Sequence, residues 1–132
     1  MPSGGASPGG ASSGGASGAP ASCAGKLVAG ACWYYASSAK QSCAAVCQAH
    51  GGYSVATRDV AGSGGPDLAC GDVLDAVGAP GSDVSALTGS GAGVGCFYSP
   101  VLSQRHRASD PPTSEGATYD VVGARRACAC NE

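Results

Sequence analysis

Apolar residues recur at helical spacing in the stretch that follows the first aromatic cluster. In residues 39–50 the positions predicted to face inward are Cys43, Val46, Cys47 and His50, spaced i, i+3, i+4 and i+7. Ser38 followed three residues later by Gln41 fits a capping box. Two glycines, 51–52, are typical of a helix end. The pattern therefore predicts a first helix over 39–50 that carries two cysteines on its buried face.

A second stripe with the same spacing begins at another cysteine. It consists of Cys70, Val73, Leu74 and Val77. Asp67 suits the N-terminal cap, and Gly78 with Pro80 is typical of a helix end. We therefore expect a second helix over 67–77.

The remaining apolar stretches are short and rich in β-branched or aromatic residues, which favours strands. Residues 26–35 predict a strand or hairpin with a bend at Gly30, 94–99 a strand, and 119–130 a final strand with a bulge at Gly123. Residues 53–60 read as a short strand or extended segment, and 79–93 and 103–118 as loops. The predicted fold class is α+β: two helices joined by disulfides to a small, mostly antiparallel sheet, with many loops.

Residues 1–22 differ from the rest of the chain. They repeat SGGAS-like units, and they contain no cysteine and no charged side chain. Such a segment has no large apolar group that would offset the entropy of ordering it. We expect a flexible tether over 1–22 and a single disulfide-rich domain over 23–132.

The predicted core is thin, because only 17 of the 132 residues are Leu, Val or Phe and there is no Ile. Eight cysteines are the obvious additional source of stability, since a native disulfide typically contributes about 2–4 kcal/mol. A dense, even set of cysteines is typical of secreted or cell-surface proteins. The first residues do not resemble a signal peptide, so we expect this domain to be part of a larger secreted chain.

All eight cysteines are predicted to form disulfides: Cys23, Cys32, Cys43, Cys47, Cys70, Cys96, Cys128 and Cys130. On a strand, Cys128 and Cys130 lie on one face, about 6.5–7 Å apart at Cα, which is at the edge of what a disulfide spans. Cross-pairing of these two with the two cysteines of the first helix is therefore favoured. Cys70 would then join Cys96, and Cys23 would join Cys32.

Two other uses of the cysteines compete with this interpretation. Cys43, Cys47, His50, Cys128 and Cys130 contain enough ligands for a structural zinc ion, although the chain lacks the usual CxxC spacing. A redox or nucleophilic thiol is the third alternative. We otherwise expect no metal, no cofactor and no catalytic residue, because no nucleophile and base are placed for chemistry.

Candidate ligand-binding residues come from the polar stretch near residue 106 and from two aromatic positions. Arg105, His106 and Arg107 form a small basic cluster that suits an anionic group on a ligand. Tyr98 and Tyr119 are candidates for an aromatic binding surface. The alternative is that the basic cluster belongs to a solvated loop and that the tyrosines fill the core.

The layout resembles a compact C-type-lectin-like domain or the related Link module. The residues that carry the resemblance are the Cys23–Cys32 hairpin followed by WYY, and SCAAVCQAHGG together with RRACAC. The EPN, QPD and WND-type triplets of calcium-dependent sugar binders are absent from the sequence. The stretch CWYYASSAKQSCAAVCQAHGGY also resembles small cysteine-rich secreted bacterial domains of unassigned function. The resemblance implies a lectin-like fold without calcium-mediated sugar binding.

The sequence thus predicts a non-catalytic extracellular binding or adhesion module on a flexible tether. Its expected partner is a glycan or a surface protein. The net charge of −2 gives no reason to expect nucleic acid, and no stretch is apolar enough to insert into a membrane. The alternatives are a ligand-free structural or spacer domain of a surface or matrix protein and, less favoured, a small secreted enzyme or inhibitor.

Overall fold

The computed structural model describes residues 23–132, and the predicted tether, residues 1–22, lies outside the described residues. The described part contains one six-stranded mixed sheet, three short helices and four disulfides. The prediction of a small, disulfide-rich α+β fold is confirmed at this level. No helix in residues 23–132 is long and apolar enough to cross a membrane.

Nine elements make up the described domain. They are β1 Lys26–Val28, β2 Ala31–Tyr35, α1 Cys43–Cys47, α2 Ala56–Asp59, α3 Asp67–Ala76, β3 Val84–Leu87, β4 Cys96–Ser99, β5 Gln104–Ala108 and β6 Arg125–Cys130. The strand order across the sheet is β1-β2-β6-β4-β5-β3. Every pairing is antiparallel except that of β3 with β5.

The predicted strand or hairpin over residues 26–35 is a tight β1-β2 hairpin. Ala29 and Gly30 at its tip have φ angles of 51° and 76°, as a two-residue turn that follows the strand twist requires. Trp33 is fully buried, and its indole N–H donates to the carbonyl of Val28 over 3.0 Å. The Cys23–Cys32 disulfide fastens the segment before β1 to strand β2.

Strand β6 lies in the interior of the sheet, and its side chains alternate between two packing layers, as the period of a strand requires. Ala127 and Ala129 belong to the core that packs against α3. Cys128 and Cys130 lie on the opposite face and form disulfides with Cys43 and Cys47 of α1, respectively. The two final cysteines therefore fasten α1 to the sheet, in agreement with the predicted cross-pairing.

The second predicted helix is present as α3, with bounds that differ by one residue from the prediction. Its cap residue is Pro66 rather than Asp67, which is already helical. Val73 and Leu74 are fully buried, and Cys70 forms a disulfide with Cys96 of β4. The apolar stripe and the cysteine thus fix the same face of α3 to the sheet.

The first predicted helix is shorter than expected, because α1 covers only Cys43–Cys47 instead of 39–50. Lys40 has a φ of 67°, in the left-handed region, so a regular helix cannot begin at the predicted position. Ser42 is the true cap, and its hydroxyl accepts a hydrogen bond from the Ala45 amide over 3.1 Å. The Gln41 side chain instead accepts from the Ser37 amide over 2.9 Å.

The prediction of an extended segment over 53–60 is wrong for its second half, which forms α2. Tyr53 makes an isolated bridge to Cys130, and the Ser54 amide donates to the carbonyl of Ala129. The buried Thr57 hydroxyl exchanges hydrogen bonds with the amide and carbonyl of Ala129, at 2.8 and 3.2 Å. This segment supplies hydrogen-bond partners to backbone groups at the end of β6, which does not pair with β4.

Both long predicted loops contain a strand, β3 within 79–93 and β5 within 103–118. Their sequences are polar, yet β5 pairs with β4 on one side and with β3 on the other. Arg105 and His106 are buried in β5. The prediction of a loop over 103–118 was wrong for β5 because the charge of Arg105 is paired with Asp75 inside the domain.

Arg126 of β6 is the largest polar side chain in the core, with 1% of its surface exposed. Its guanidinium donates to three backbone carbonyls, those of Val94, Ala117 and Ser114, over 2.8–3.0 Å. Burial lowers the pKa of Arg126 to about 10, so the side chain stays charged at neutral pH. One side chain thus organises the irregular segments that cover this face of the sheet.

Candidate functional site

A groove with a volume of about 160 Å³ lies between the end of β2 and α1. We call it the α1 groove. It is lined by Tyr34, Tyr35, Ser37, Gln41, Ala45, Val46 and His50. Aromatic rings, an amide, a hydroxyl and small apolar side chains meet here, which is the composition of a site for a polar organic ligand.

The aromatic side of the α1 groove is a stacked pair of rings. Tyr34 and His50 lie parallel, with ring centroids 3.9 Å apart and planes inclined by 14°. The Tyr34 hydroxyl donates to one oxygen of the Glu132 carboxylate, and the other oxygen lies 3.0 Å from His50 Nδ1. A single carboxylate therefore fixes both rings of the stack.

The contact with Glu132 selects the tautomer of the neutral His50 ring. A neutral imidazole that faces a carboxylate at Nδ1 carries its proton on that atom, which makes Nε2 an acceptor. Among the described residues no partner contacts Nε2. His50 is about one-third exposed, so the ring can offer this acceptor to a ligand.

The opposite side of the α1 groove is the turn that leads into α1. Gln41 Oε1 is occupied by the amide and hydroxyl of Ser37, at 2.9 and 3.3 Å. The amide nitrogen of Gln41 has no partner within residues 23–132 and is a free donor. The Cys43–Cys128 and Cys47–Cys130 disulfides hold α1 against the sheet, so the groove is held open without a bound ligand.

A second concavity, of about 390 Å³, runs between α3 and the start of β3. Four aspartates line it: Asp67, Asp72, Asp75 and Asp83. Asp67 and Asp75 are each paired with an arginine of β5, at 2.7 Å in both cases. Half of the acidic groups of this α3 groove thus pair with arginines of β5.

The basic cluster proposed from the sequence lies on β5 and not in a loop, which corrects that prediction. Arg105 is 2% exposed, and it binds Asp75 together with the carbonyls of Pro80 and Ala79. Arg107 binds Asp67 and the carbonyl of Gly62. Both guanidinium groups join parts of the domain to each other, which argues against them as ligand-binding groups.

The other ligand candidates are separated by the sheet. His106 is buried against Phe97, with ring centroids 5.4 Å apart, and neither ring nitrogen has a partner among the described residues. Tyr119 contacts the edge of the same Phe97 ring. Tyr98 lies on the opposite face and packs against the α3 core. The structure therefore does not bring the five predicted residues into one site.

The zinc alternative is not compatible with the observed cysteine chemistry. Cys43, Cys47, Cys128 and Cys130 are consumed in two disulfides, whereas a zinc ligand must be a thiolate. None of the eight cysteines is free. Residues 23–132 contain no group of three or more His, Cys, Asp or Glu side chains arranged for a metal ion.

Sequence reasoning missed the α1 groove, although a signal for it exists. His50 lies three residues after Cys47, in the turn that follows α1, and Glu132 lies two residues after Cys130, just beyond the end of β6. A Cys47–Cys130 disulfide therefore brings His50 and Glu132 together. The pairing of distant cysteines, once predicted, can also predict which of their neighbours meet.

Tyrosine ionisation tests whether the phenol groups of Tyr35 and Tyr53 are buried. Burial raises the pKa of both Tyr35 and Tyr53 above the ordinary value of 10.0. Between about pH 10 and the raised pKa values, the unfolded chain binds fewer protons than the folded chain. The free energy of unfolding is therefore unaffected below about pH 10 and falls above it.

We expect the absorbance at 295 nm to rise at a higher pH for the native protein than for the urea-unfolded protein. The Tyr35→Phe and Tyr53→Phe variants should each remove one of the late-titrating groups. Native and unfolded curves that coincide for all five tyrosines would contradict the burial of these two phenols.

Comparison with protein-family models, with curated proteins and with solved structures finds no match to this chain.

Proposed function

We propose that this domain is an extracellular binding module that holds a neutral sugar, or a similar polyhydroxyl group of a surface glycan, in the α1 groove. The observation that carries the proposal is the stacked Tyr34–His50 pair fixed by Glu132 beside the free amide donor of Gln41. The lectin-like resemblance of the sequence points in the same direction, without a calcium site.

The chemistry of the α1 groove suits a sugar better than a purely apolar ligand. Aromatic edges and the small side chains of Ala45 and Val46 offer apolar contact to the C–H groups of a sugar ring. His50 Nε2 as acceptor and the Gln41 amide nitrogen as donor match hydroxyl groups, which both donate and accept. Each of these groups is already oriented by an internal hydrogen bond, so little ordering is needed on binding.

The size of the α1 groove limits what it holds. Its 160 Å³ is below the roughly 300–1,000 Å³ of a typical small-molecule pocket. We therefore expect it to take one sugar ring, such as a terminal residue of a glycan, and to bind it weakly. Useful affinity would come from several copies engaging a surface together, a role that fits display on the Gly/Ser/Ala-rich residues 1–22.

The proposed location depends on the four disulfides. They are compatible with an oxidising, extracellular setting, where such bonds form and persist. A ligand-free structural or spacer domain would have the same disulfides. Only ligand binding separates the two roles, because a spacer requires no free donor or acceptor in the α1 groove.

Gln41→Glu is the sharpest variant for testing the proposal. Glutamate keeps the oxygen that accepts from the Ser37 amide, so the turn before α1 is preserved, but it replaces the free amide donor with a charged acceptor. We expect binding to a neutral glycan, identified on a glycan array and measured by surface plasmon resonance, to weaken about tenfold, as for the loss of roughly 1.4 kcal/mol.

The matched control is Gln104→Glu, which makes the same chemical change at an exposed position on β5. It should leave glycan binding unchanged. Equal weakening by both variants would indicate a general charge effect and not a site at α1. If the folded, four-disulfide protein binds no glycan on the array, the structural role is favoured.

A further inference from the structure

Arg125 is satisfied differently from the other arginines of residues 23–132. Arg58, Arg105 and Arg107 each pair with an aspartate, and Arg126 donates to three carbonyls. Arg125 makes one hydrogen bond, from Nε to the carbonyl of Ala36 over 2.9 Å. Its two terminal nitrogens have no partner within the described residues, although the side chain is partly buried.

The position of Arg125 is nevertheless fixed. Its guanidinium carbon lies 4.1 Å from the centroid of the Tyr35 ring, in a cation–π contact, while Nε is held by Ala36. Stacking on one face and bonding at Nε leave the outer edge of the guanidinium plane available. A planar fork of two N–H donors in this state is preorganised for a carboxylate.

A second aromatic residue lies beside Arg125 on the sheet. Tyr98 of β4 lies opposite Arg125 of β6 in the strand register, and both Tyr35 and Tyr98 pack against the α3 core. The two tyrosines and Arg125 therefore form a short row on that face of the sheet. We call it the Tyr35–Arg125–Tyr98 row, and it does not include Tyr34 or His50, the stacked pair of the α1 groove.

The hydroxyl of Tyr35 gives an independent indication of an incomplete polar site. It is buried and has no hydrogen-bond partner among the described residues. Burial raises the pKa of Tyr35 despite the opposing effect of Arg125. A buried unpaired hydroxyl lowers the free energy of unfolding by about 1–3 kcal/mol. Its presence beside a guanidinium whose terminal nitrogens are unpaired therefore requires an explanation.

We propose that the Tyr35–Arg125–Tyr98 row is a binding site for a carboxylate, carried either by an acidic sugar or by an acidic amino acid. The terminal nitrogens of Arg125 bind the two carboxylate oxygens, and the ring of Tyr98 contacts the adjoining carbon skeleton. No carboxylate of residues 23–132 pairs with Arg125, so the protein does not compete for the fork. This site shares Tyr35 with the lining of the α1 groove, but its binding group, Arg125, is not part of that lining.

The test is a titration of isotope-labelled protein followed by NMR, with the Arg125 side-chain Nε–H resonance as the main readout. Galacturonate and N-acetylglutamate probe the two carboxylate sources, and galactose and N-acetylglutaminamide, in which both carboxyl groups are amides, are their neutral counterparts. We expect at least one carboxylate to shift this resonance saturably, with a Kd on the order of millimolar, while its neutral counterpart does not. Which carboxylate binds more tightly identifies the source.

The Arg125→Lys variant keeps the positive charge but loses the planar fork, so carboxylate binding should weaken about tenfold or more. Arg58→Lys makes the same change at an exposed arginine and should leave binding unchanged. Absence of a saturable shift in the native protein for both carboxylates would overturn the proposal. So would equal responses to charged and neutral probes, or equal weakening by the two variants. None of these results bears on glycan binding at the α1 groove.

Discussion

Replacing all four cysteines that join α1 to β6 with alanine should lower the free energy of unfolding more than any other change to this domain. The first disulfide removed should cost less than the second. Cys43–Cys128 and Cys47–Cys130 close almost the same loop, with sequence separations of 85 and 83. While either bond remains, the long loop stays closed. In the chain-entropy model the first bond removed therefore costs about 2 kcal/mol and the second about 4–5 kcal/mol.

Urea unfolding of three variants measures this directly: Cys43→Ala with Cys128→Ala, Cys47→Ala with Cys130→Ala, and all four together. Each paired variant should remain folded, whereas the fourfold variant should lose most of a stability that is typically about 5–15 kcal/mol. The matched control removes Cys70–Cys96, which closes a separate loop with a separation of 26. A first removal as costly as the second would contradict the shared-loop account.

Replacing Arg126 with alanine should be the most destabilising change that leaves the disulfides intact. The variant would leave the carbonyls of Val94, Ala117 and Ser114 buried without their donors, and it would open a cavity where the side chain was. We expect the free energy of unfolding to fall by about 3–5 kcal/mol, as for the loss of one partner from a buried polar network.

Thermal and urea unfolding of Arg126→Ala and Arg126→Lys tests this expectation. Lysine keeps the charge but lacks the fork that reaches three carbonyls, so it should be intermediate in stability. Arg58→Ala is the control, because Arg58 is exposed and pairs only with its neighbour Asp59, and it should change stability very little. If Arg126→Ala unfolds at the same urea concentration as Arg58→Ala, the central role of Arg126 is wrong.

The cysteine framework is the part of the fold that could be predicted furthest from the sequence. Cys43 and Cys47 share a face of a helix, and Cys128 and Cys130 share a face of a strand. These two periodicities are local properties of the backbone, so they can be recognised without knowledge of the tertiary structure. The pairing followed because neither couple is well placed to bond within itself.

Strand β5 was missed because its polar residues are satisfied by tertiary contacts. A strand in which Arg105 and His106 are buried lacks the alternation of apolar and polar positions that is the usual sequence signal. Arg105 is buried only because Asp75 and the end of α3 are folded around it. The short α1 was missed for a local reason, since the left-handed Lys40 has no sequence signature comparable to glycine.

The ring pair of the α1 groove was missed because Glu132, which fixes it, lies far from both rings in the sequence. Glu132 contacts residues that precede it by 98 positions at Tyr34 and by 82 positions at His50. No local pattern encodes a contact of that separation. The Cys47–Cys130 disulfide makes this contact predictable, because His50 lies three residues after Cys47 and Glu132 two residues after Cys130. Tyr34 lies on β2, the strand that pairs with β6.

The most direct test of the central claim is an NMR titration of the four-disulfide protein with the neutral glycan selected on the array. We predict saturable shifts concentrated at Ser37, Gln41, Ala45 and His50, which line the α1 groove, and a Kd about tenfold higher in the Gln41→Glu variant. Shifts that cluster at another surface, or a folded protein whose spectrum does not change with any glycan, would contradict the assignment of this groove as the binding site.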